Sequence, residues 1–173
     1  MTLYALGDMA PTVAETAFVH PAAVVIGDVT IGDESTVWPS AVLRGDYGKI
    51  RVGARTSVQD GTVVHATQAD ATWIGDGCVV GHVAHMEGCH IDDGCLVGSG
   101  AVVLAGAYIG PGAVVGASAF VKEGMEVPAG SLAVGVPARV RDLPAGAAEL
   151  IRRSVAMYVA NGLRYKTELR IVG

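Results

Sequence analysis

The chain places an apolar residue at every sixth position over most of its length. This series runs through Val19, Val25, Ile31, Val37 and Leu43, resumes at Val52, Val58 and Val64, and continues from Ile74 to Ala133. A hexapeptide period of this kind is typical of a parallel β-helix, in which each hexad forms one short strand and one corner. Three hexads complete a triangular turn, so roughly twenty hexads predict an all-β prism of six to seven turns.

Composition agrees with a narrow prism and excludes several classes of protein. Hydrophobic residues make up 51% of the 173 residues but aromatic residues only 5%, and 24 residues are glycine. The net charge of -5 argues against a nucleic-acid partner, and no apolar run is long enough to span a membrane. The N-terminal residues lack the pattern of a signal peptide, and three cysteines without framework spacing fit a reducing compartment. We therefore expect a soluble cytoplasmic protein.

The hexad period ends near residue 140. We predict a β-helix domain over 1–140 and a C-terminal segment over 141–173 that packs on the prism. A 3–4 spacing of apolar residues predicts an α-helix from Glu149 to about Arg170 in that segment. Two earlier interruptions, at 44–51 and 65–73, are predicted to be loops that leave the phase of the repeat unchanged.

The period also predicts which side chains share an edge of the prism. Leu43, Val64 and Met86 fall on the same face in successive turns, about 5 Å apart. Strand alternation then directs the following residues outward as one column, namely Arg44, His65 and Glu87.

A second edge collects Asp60 and His82, with Gln59 beside Asp60. The polar residues suited to chemistry therefore occupy two separate edges of one prism. They meet only if a neighbouring copy brings its second edge against the first edge, which a cyclic trimer does three times. The register thus predicts a homotrimer with sites between subunits.

His65 and His82 are the strongest candidates for metal ligands in this arrangement. Two histidines and a third ligand suit a divalent metal such as zinc, with a fourth position open. Each histidine taken alone is better explained as a surface hydrogen-bonding residue. The polar residues Arg44, Asp46, Gln59 and Asp60 around them favour the metal site.

Two stretches resemble the gamma-class carbonic anhydrase family of hexapeptide-repeat proteins. They are RGDYGKIRVGARTSVQDGTVVH at 44–65 and GHVAHMEGC at 81–89, and the later GVPARVRDL at 135–143 fits the same family. The resemblance implies a left-handed β-helix, a homotrimer, and reversible CO2 hydration as the reaction of a small-molecule substrate. It implies one metal site at each subunit interface, holding Zn2+ or alternatively Fe2+ or Co2+.

The resemblance also assigns metal ligands. His65 matches the first metal histidine, and His82 matches the histidine that the adjacent subunit gives. The third family histidine is replaced by Glu87, whose carboxylate would complete a two-histidine, one-carboxylate set. His85 is the rival third ligand, although it stacks over Val63. Absence of a bound metal is the remaining alternative.

The resemblance implies four supporting roles. Arg44 and Asp46 match an Arg–Asp pair that orients the site, or that only joins the subunits. Gln59 matches a residue that holds the metal-bound water, and Asp60 matches a subunit contact. Tyr158 aligns with a tyrosine near the active site, although helix packing is the better explanation of this residue.

Three functions remain open from the sequence. The first is a carbonic anhydrase that Glu87 makes slow or inactive. The second is a hexapeptide acyltransferase using acetyl-CoA, in which a histidine between subunits is the general base. The third is a trimer that binds metal or ligand without catalysis.

Overall fold

The computed structural model describes residues 2–172. The strands in the first half are β1 (Thr2–Tyr4), β2 (Thr12–Val13), β3 (Phe18–Val19), β4 (Val24–Ile31), β5 (Thr36–Val37), β6 (Val42–Val52), β7 (Ser57–Val58), β8 (Val63–His65), β9 (Thr72–Ile74) and β10 (Val79–Val80). Those that follow are β11 (His85–Glu87), β12 (His90–Ile91), β13 (Leu96–Val97), β14 (Val102–Val103), β15 (Tyr108–Ile109), β16 (Val114–Val115), β17 (Phe120–Val121), β18 (Glu126–Val127), β19 (Ser131–Val134) and β20 (Arg139–Asp142). Helix α1 covers Ala147–Glu168.

The strands form a three-faced β-solenoid of about seven turns. Face A consists of β1, the first halves of β4 and β6, and then β8, β11, β14 and β17. Face B consists of β2, the second halves of β4 and β6, and then β9, β12, β15 and β18. Face C consists of β3, β5, β7, β10, β13, β16 and β19, all parallel. The predicted hexapeptide β-helix is confirmed.

The apolar residues of the repeat fill the interior of the prism. Leu43, Val64 and Met86 are paired in register across β6, β8 and β11 and are completely buried. The inward residues of each turn pack on those of the turns above and below, so the hydrophobic core is one continuous column. The small residues between them leave room for this stacking within so narrow a cross-section.

The interruption at 44–51 is not the loop that the repeat predicts. Residues Val42–Val52 form one continuous strand, β6, which pairs with β8 through Val42–Arg44 and with β9 through Ile50–Val52. The backbone stays extended because β4 runs beside it along the same corner, with a register shift between Gly27 and Val29. The second interruption does contain a loop, which lies between β8 and β9.

Helix α1 lies on face C. Its residues Ile151 and Val155 are buried against Val79 of β10, and β20 leads into it after pairing antiparallel with β19. The helix begins two residues before the predicted start and ends near the predicted end. Over the described part of the chain, no helix has the length and apolar character needed to cross a membrane.

Candidate functional site

One edge of the prism, at the end of face A, brings together five polar residues. Arg44, His65 and Glu87 are paired in register across three neighbouring strands, as the period predicts. We call this group, which also includes Asp46 and His85, the His65 edge. Its centre is the His65 ring, whose Nδ1 lies 3.0 Å from Oε1 of Glu87 and whose Nε2 lies 3.0 Å from Oδ1 of Asp46. Both ring nitrogens of His65 therefore contact carboxylates.

Hydrogen bonds hold both carboxylates in their charged form. The bond to His65 is the largest influence on the Glu87 carboxyl, and together with the bond to His85 it lowers the pKa of Glu87 despite the opposing effect of burial. For Asp46 the largest single influence is burial, which raises the pKa. The bonds to Arg44 and His65 together outweigh it, so the pKa of Asp46 is lowered. The Arg44–Asp46 pair is formed within one chain.

His85 takes part in this edge without stacking on His65. It pairs in register with Val63, as predicted, yet its Nε2 lies 3.4 Å from Oε2 of Glu87. The two oxygens of Glu87 thus contact different histidines, His65 and His85. His85 is therefore placed to orient the Glu87 carboxylate.

The second edge lies at the corner between faces C and A and is called the His82 edge. It contains Gln59, Asp60, His82 and Tyr158. Nδ1 of His82 lies 2.9 Å from Oδ2 of Asp60, and both side chains are about half exposed. The Asp60 contact leaves Nε2 of His82 free to face outward.

Tyr158 reaches this edge from helix α1. Burial and, secondarily, the negative charge of Asp60 raise the pKa of Tyr158, while a contact with Gln59 lowers it. Gln59 itself is buried. The phenol of Tyr158 therefore stays protonated near neutral pH beside the polar groups that the sequence placed on this edge.

The donor groups of the two edges suit a divalent cation only if the edges are combined. In residues 2–172 of a single chain, no group of three histidine, cysteine or carboxylate side chains is arranged to hold a metal ion. The chemistry of the donors does fit zinc or ferrous iron, since imidazole and carboxylate are accepted ligands of both. Of the predicted ligand set, His65 and Glu87 lie on the His65 edge and His82 stands on the other edge.

Tyr47 is a site residue that the sequence analysis missed. Its ring meets the His65 ring edge-on, with centroids 6.2 Å apart, and it is 64% exposed. Its position directly after Arg44, Gly45 and Asp46 was the available signal. The predicted loop at 44–51 hid it, because only the observed course of β6 shows that the residue after Asp46 reaches His65.

Comparison with known proteins places this chain among hexapeptide-repeat proteins. The family described as bacterial transferase hexapeptide (six repeats) matches residues 88–123. A Methanocaldococcus jannaschii protein named "Probable carbonic anhydrase" is 46% identical over 143 residues, which is 83% of this chain and 86% of that protein. Gamma carbonic anhydrase 2, mitochondrial, of Arabidopsis thaliana is 39% identical over 144 residues, or 80% of this chain. The chain spans about half (52%) of that plant protein.

A solved structure extends the same similarity to nearly the whole chain. A Bacillus cereus protein, provisionally called an acetyltransferase, superposes with a TM-score of 0.95 at 35% sequence identity and covers 97% of this chain and 98% of its own. The archaeal relative is covered over most of its length at 46% identity. The chain belongs to the gamma-carbonic-anhydrase-like family of hexapeptide-repeat proteins.

Proposed function

We propose that this protein is a gamma-carbonic-anhydrase-like metalloprotein that hydrates CO2 reversibly and slowly. Its cation site is formed by His65 and Glu87 of one subunit together with His82 of the next subunit in a homotrimer. Zinc is the proposed metal, with Fe2+ or Co2+ as alternatives. The reaction converts CO2 and water into bicarbonate and a proton.

One observation supports this proposal above the others. Glu87 occupies the register position directly above His65 and contacts it at 3.0 Å. A carboxylate held there by His65 on one oxygen and His85 on the other is oriented by its neighbours, as ligating carboxylates usually are. This favours Glu87 over His85 as the third ligand and gives His85 the role of positioning it.

The remaining polar residues have roles that follow from their contacts. Asp46, held by Arg44, accepts a hydrogen bond from the His65 ring and fixes its orientation. Asp60 does the same for His82, leaving Nε2 to face the neighbouring subunit. Gln59 and Tyr158 line the same edge and would offer hydrogen bonds to water or bicarbonate.

The ligand set explains why we expect a slow reaction. When bound, a divalent cation would supply Lewis acidity, which makes water a nucleophile near neutral pH. A carboxylate brings negative charge to the site and cancels part of the field that acidifies water. Glu87 in place of a neutral imidazole therefore weakens the chemistry while it retains metal binding.

Metal content tests the site. Tag-free protein loaded with zinc, and separately with ferrous iron, is analysed by mass spectrometry for metal per chain. We expect about one ion per chain, lost in His65→Ala and Glu87→Ala. His90→Ala is the matched control, since His90 is an exposed histidine on face B, and it should keep the metal. Loaded wild-type protein without metal would contradict the proposal.

Activity tests the role of Glu87. CO2 hydration is followed by stopped flow with a pH indicator for the wild type and for Glu87→His. We expect the variant to be clearly faster at equal metal content. Equal rates in the two proteins would show that the charge of Glu87 does not limit the reaction.

A second candidate function is acyl transfer from acetyl-CoA, which the His82–Asp60 pair favours. A histidine whose Nδ1 contacts a carboxylate at 2.9 Å has the arrangement of a general base, able to take a proton from an acceptor through Nε2. The Bacillus cereus relative supports the same alternative. A thermal shift on adding CoA that is unaffected by metal removal would favour acyl transfer over CO2 hydration.

A further inference from the structure

The corner between faces C and A repeats one backbone conformation in five successive turns. The residues at this position have positive φ angles, and they are Ser40 (61°), Gly61 (68°), Val83 (50°), Gly100 (68°) and Ser118 (55°). Backbone hydrogen bonds such as Val83 N–H to the Asp60 carbonyl (2.9 Å) and Gly100 N–H to the His82 carbonyl (2.8 Å) join successive turns. Each residue at this corner position therefore adopts the same left-handed backbone conformation.

Val83 is the unusual member of this column. The left-handed region suits glycine and tolerates short polar residues, whereas a β-branched residue there is an outlier. The other non-glycine residues with positive φ in the described chain are polar, namely Glu34, Ser40, Arg55 and Ser118. A strained residue is retained where its side chain serves a purpose that the backbone alone does not explain.

The side chain of Val83 gains little from its own chain. It is 65% exposed, and its own-chain neighbour is the bare corner of the preceding turn, where a Cβ on Gly61 would come within 3.0 Å of Cγ1 of Val83. Val83 also directly follows His82, the residue that must reach a neighbouring subunit if the proposed site exists. Strain, exposure and position therefore coincide at the corner of the His82 edge.

We infer that Val83 is an anchor for a second copy of this chain, which sets the approach of His82 to the His65 edge of that copy. This inference rests on the proposed sharing of the site between subunits. Its apolar counterpart is Tyr47 of the second copy, which is 64% exposed and lies edge-on to His65. Val83 and Tyr47 are apolar groups at the margins of the two edges that have to meet.

One pair of opposite charges on the two edges fits the same occupant, and within one chain Arg44 pairs with Asp46 and Asp60 with His82. The His82 edge presents Asp60, about half exposed, while the His65 edge presents the guanidinium of Arg44, whose side chain is 41% exposed. A carboxylate on one edge and a guanidinium on the other are complementary across an interface. Burying Val83 between them removes water from this pair.

The test measures self-association of full-length Val83→Gly and Val83→Asn by sedimentation over a dilution series. Both substitutions suit a positive φ and remove the apolar group, so the dissociation constant should rise tenfold or more. In dissociated samples the melting temperature should rise by about 2–8 °C, because backbone strain is relieved. Ser118→Gly, at the same corner position two turns away, is the control and should leave association unchanged.

Tyr47→Ala tests the counterpart. It should weaken association as Val83→Gly does, and the double variant should lose less than the sum of the two single effects, since both remove one contact. Unchanged dissociation constants in the Val83 variants, or a wild-type chain that does not self-associate, would overturn the inference. Variants that fail to fold would also overturn it, by showing that Val83 supports its own chain. An assembly that depends on Val83 but binds no metal would instead refute the proposed function alone.

Discussion

The contact between helix α1 and face C can be tested at a single glycine. Gly162 lies inside the helix, and a Cβ added to it would come within 2.6 Å of Cγ2 of Thr36 in β5. Thr36 is buried and cannot turn its methyl away freely. Its hydroxyl donates to Ser57 Oγ at 3.0 Å and accepts from Trp38 Nε1 at 3.0 Å.

Two opposing effects decide the outcome of Gly162→Ala. Replacing glycine by alanine inside a helix normally stabilises by about 1 kcal/mol. Overpacking a rigid contact costs about 1–3 kcal/mol, so we expect a net loss of about 1 kcal/mol in the free energy of unfolding. For a chain of this size the melting temperature should then fall by about 2–4 °C.

A double-variant cycle separates the clash from the propensity of the helix. Thr36→Ser removes Cγ2 and keeps the hydroxyl, so in that background Gly162→Ala should stabilise by about 1 kcal/mol. The coupling between the two sites is then about 2 kcal/mol, measured by urea unfolding at one fixed protein concentration. Stabilisation by Gly162→Ala in both backgrounds would refute the argument, because it would show that the helix does not press on Thr36.

Three further outcomes follow from other parts of the fold. Burial raises the pKa of the Cys89 thiol to about 12, and all three cysteines are buried, so a thiol reagent at pH 8 should label the folded protein slowly and the urea-unfolded protein completely. Gly27→Ala should cost about 2–5 kcal/mol in urea unfolding, since its φ is +76° and a Cβ would lie 2.2 Å from the Gly45 carbonyl oxygen. The Tyr108 hydroxyl lowers the pKa of Asp92, so Tyr108→Phe should raise it towards its ordinary value in an NMR titration. The lowered carboxyl pKa contributes stability that is fully present above the unfolded pKa and is lost as the pH falls through the folded pKa. Any loss of stability in Tyr108→Phe should therefore be present at neutral pH and should vanish at acidic pH.

The sequence predicts the fold well because the hexapeptide repeat is local and because counting in steps of six gives the register of the strands. A period of six places Leu43, Val64 and Met86 in one column, and strand alternation then places Arg44, His65 and Glu87 outside it. The same arithmetic puts Asp60 and His82 on the second edge, where the structure joins them by a hydrogen bond. Nothing beyond hydrophobic spacing and the pleat of a strand is needed for either result.

The features that the sequence did not predict lie where the hexapeptide period is interrupted or where side-chain and backbone torsions decide. The segment 44–51 breaks the period, and only its pairing with β4 and β9 shows that it stays extended. Which atoms of His65 contact Glu87 and Asp46 depends on side-chain rotamers, which spacing does not determine. The sequence signal for the positive φ of Val83 is glycine at the corresponding corners of the neighbouring turns, Gly61 and Gly100. A β-branched residue at position 83 hides that signal.

The solenoid itself explains why a shared site suits this chain. The interior of the prism is filled by apolar side chains, so polar groups are confined to its outside. Outward residues stack one above another along an edge, and within one chain His65 and His82 lie on different edges. The proposed ligand set of His65, Glu87 and His82 therefore requires a second copy, and we propose that the Val83 corner positions that copy. On this argument, the identity of residue 87 sets the chemistry of the site and the corners set its assembly. Glu87→His should then change the rate without changing association, and Val83→Gly should change association at every metal content.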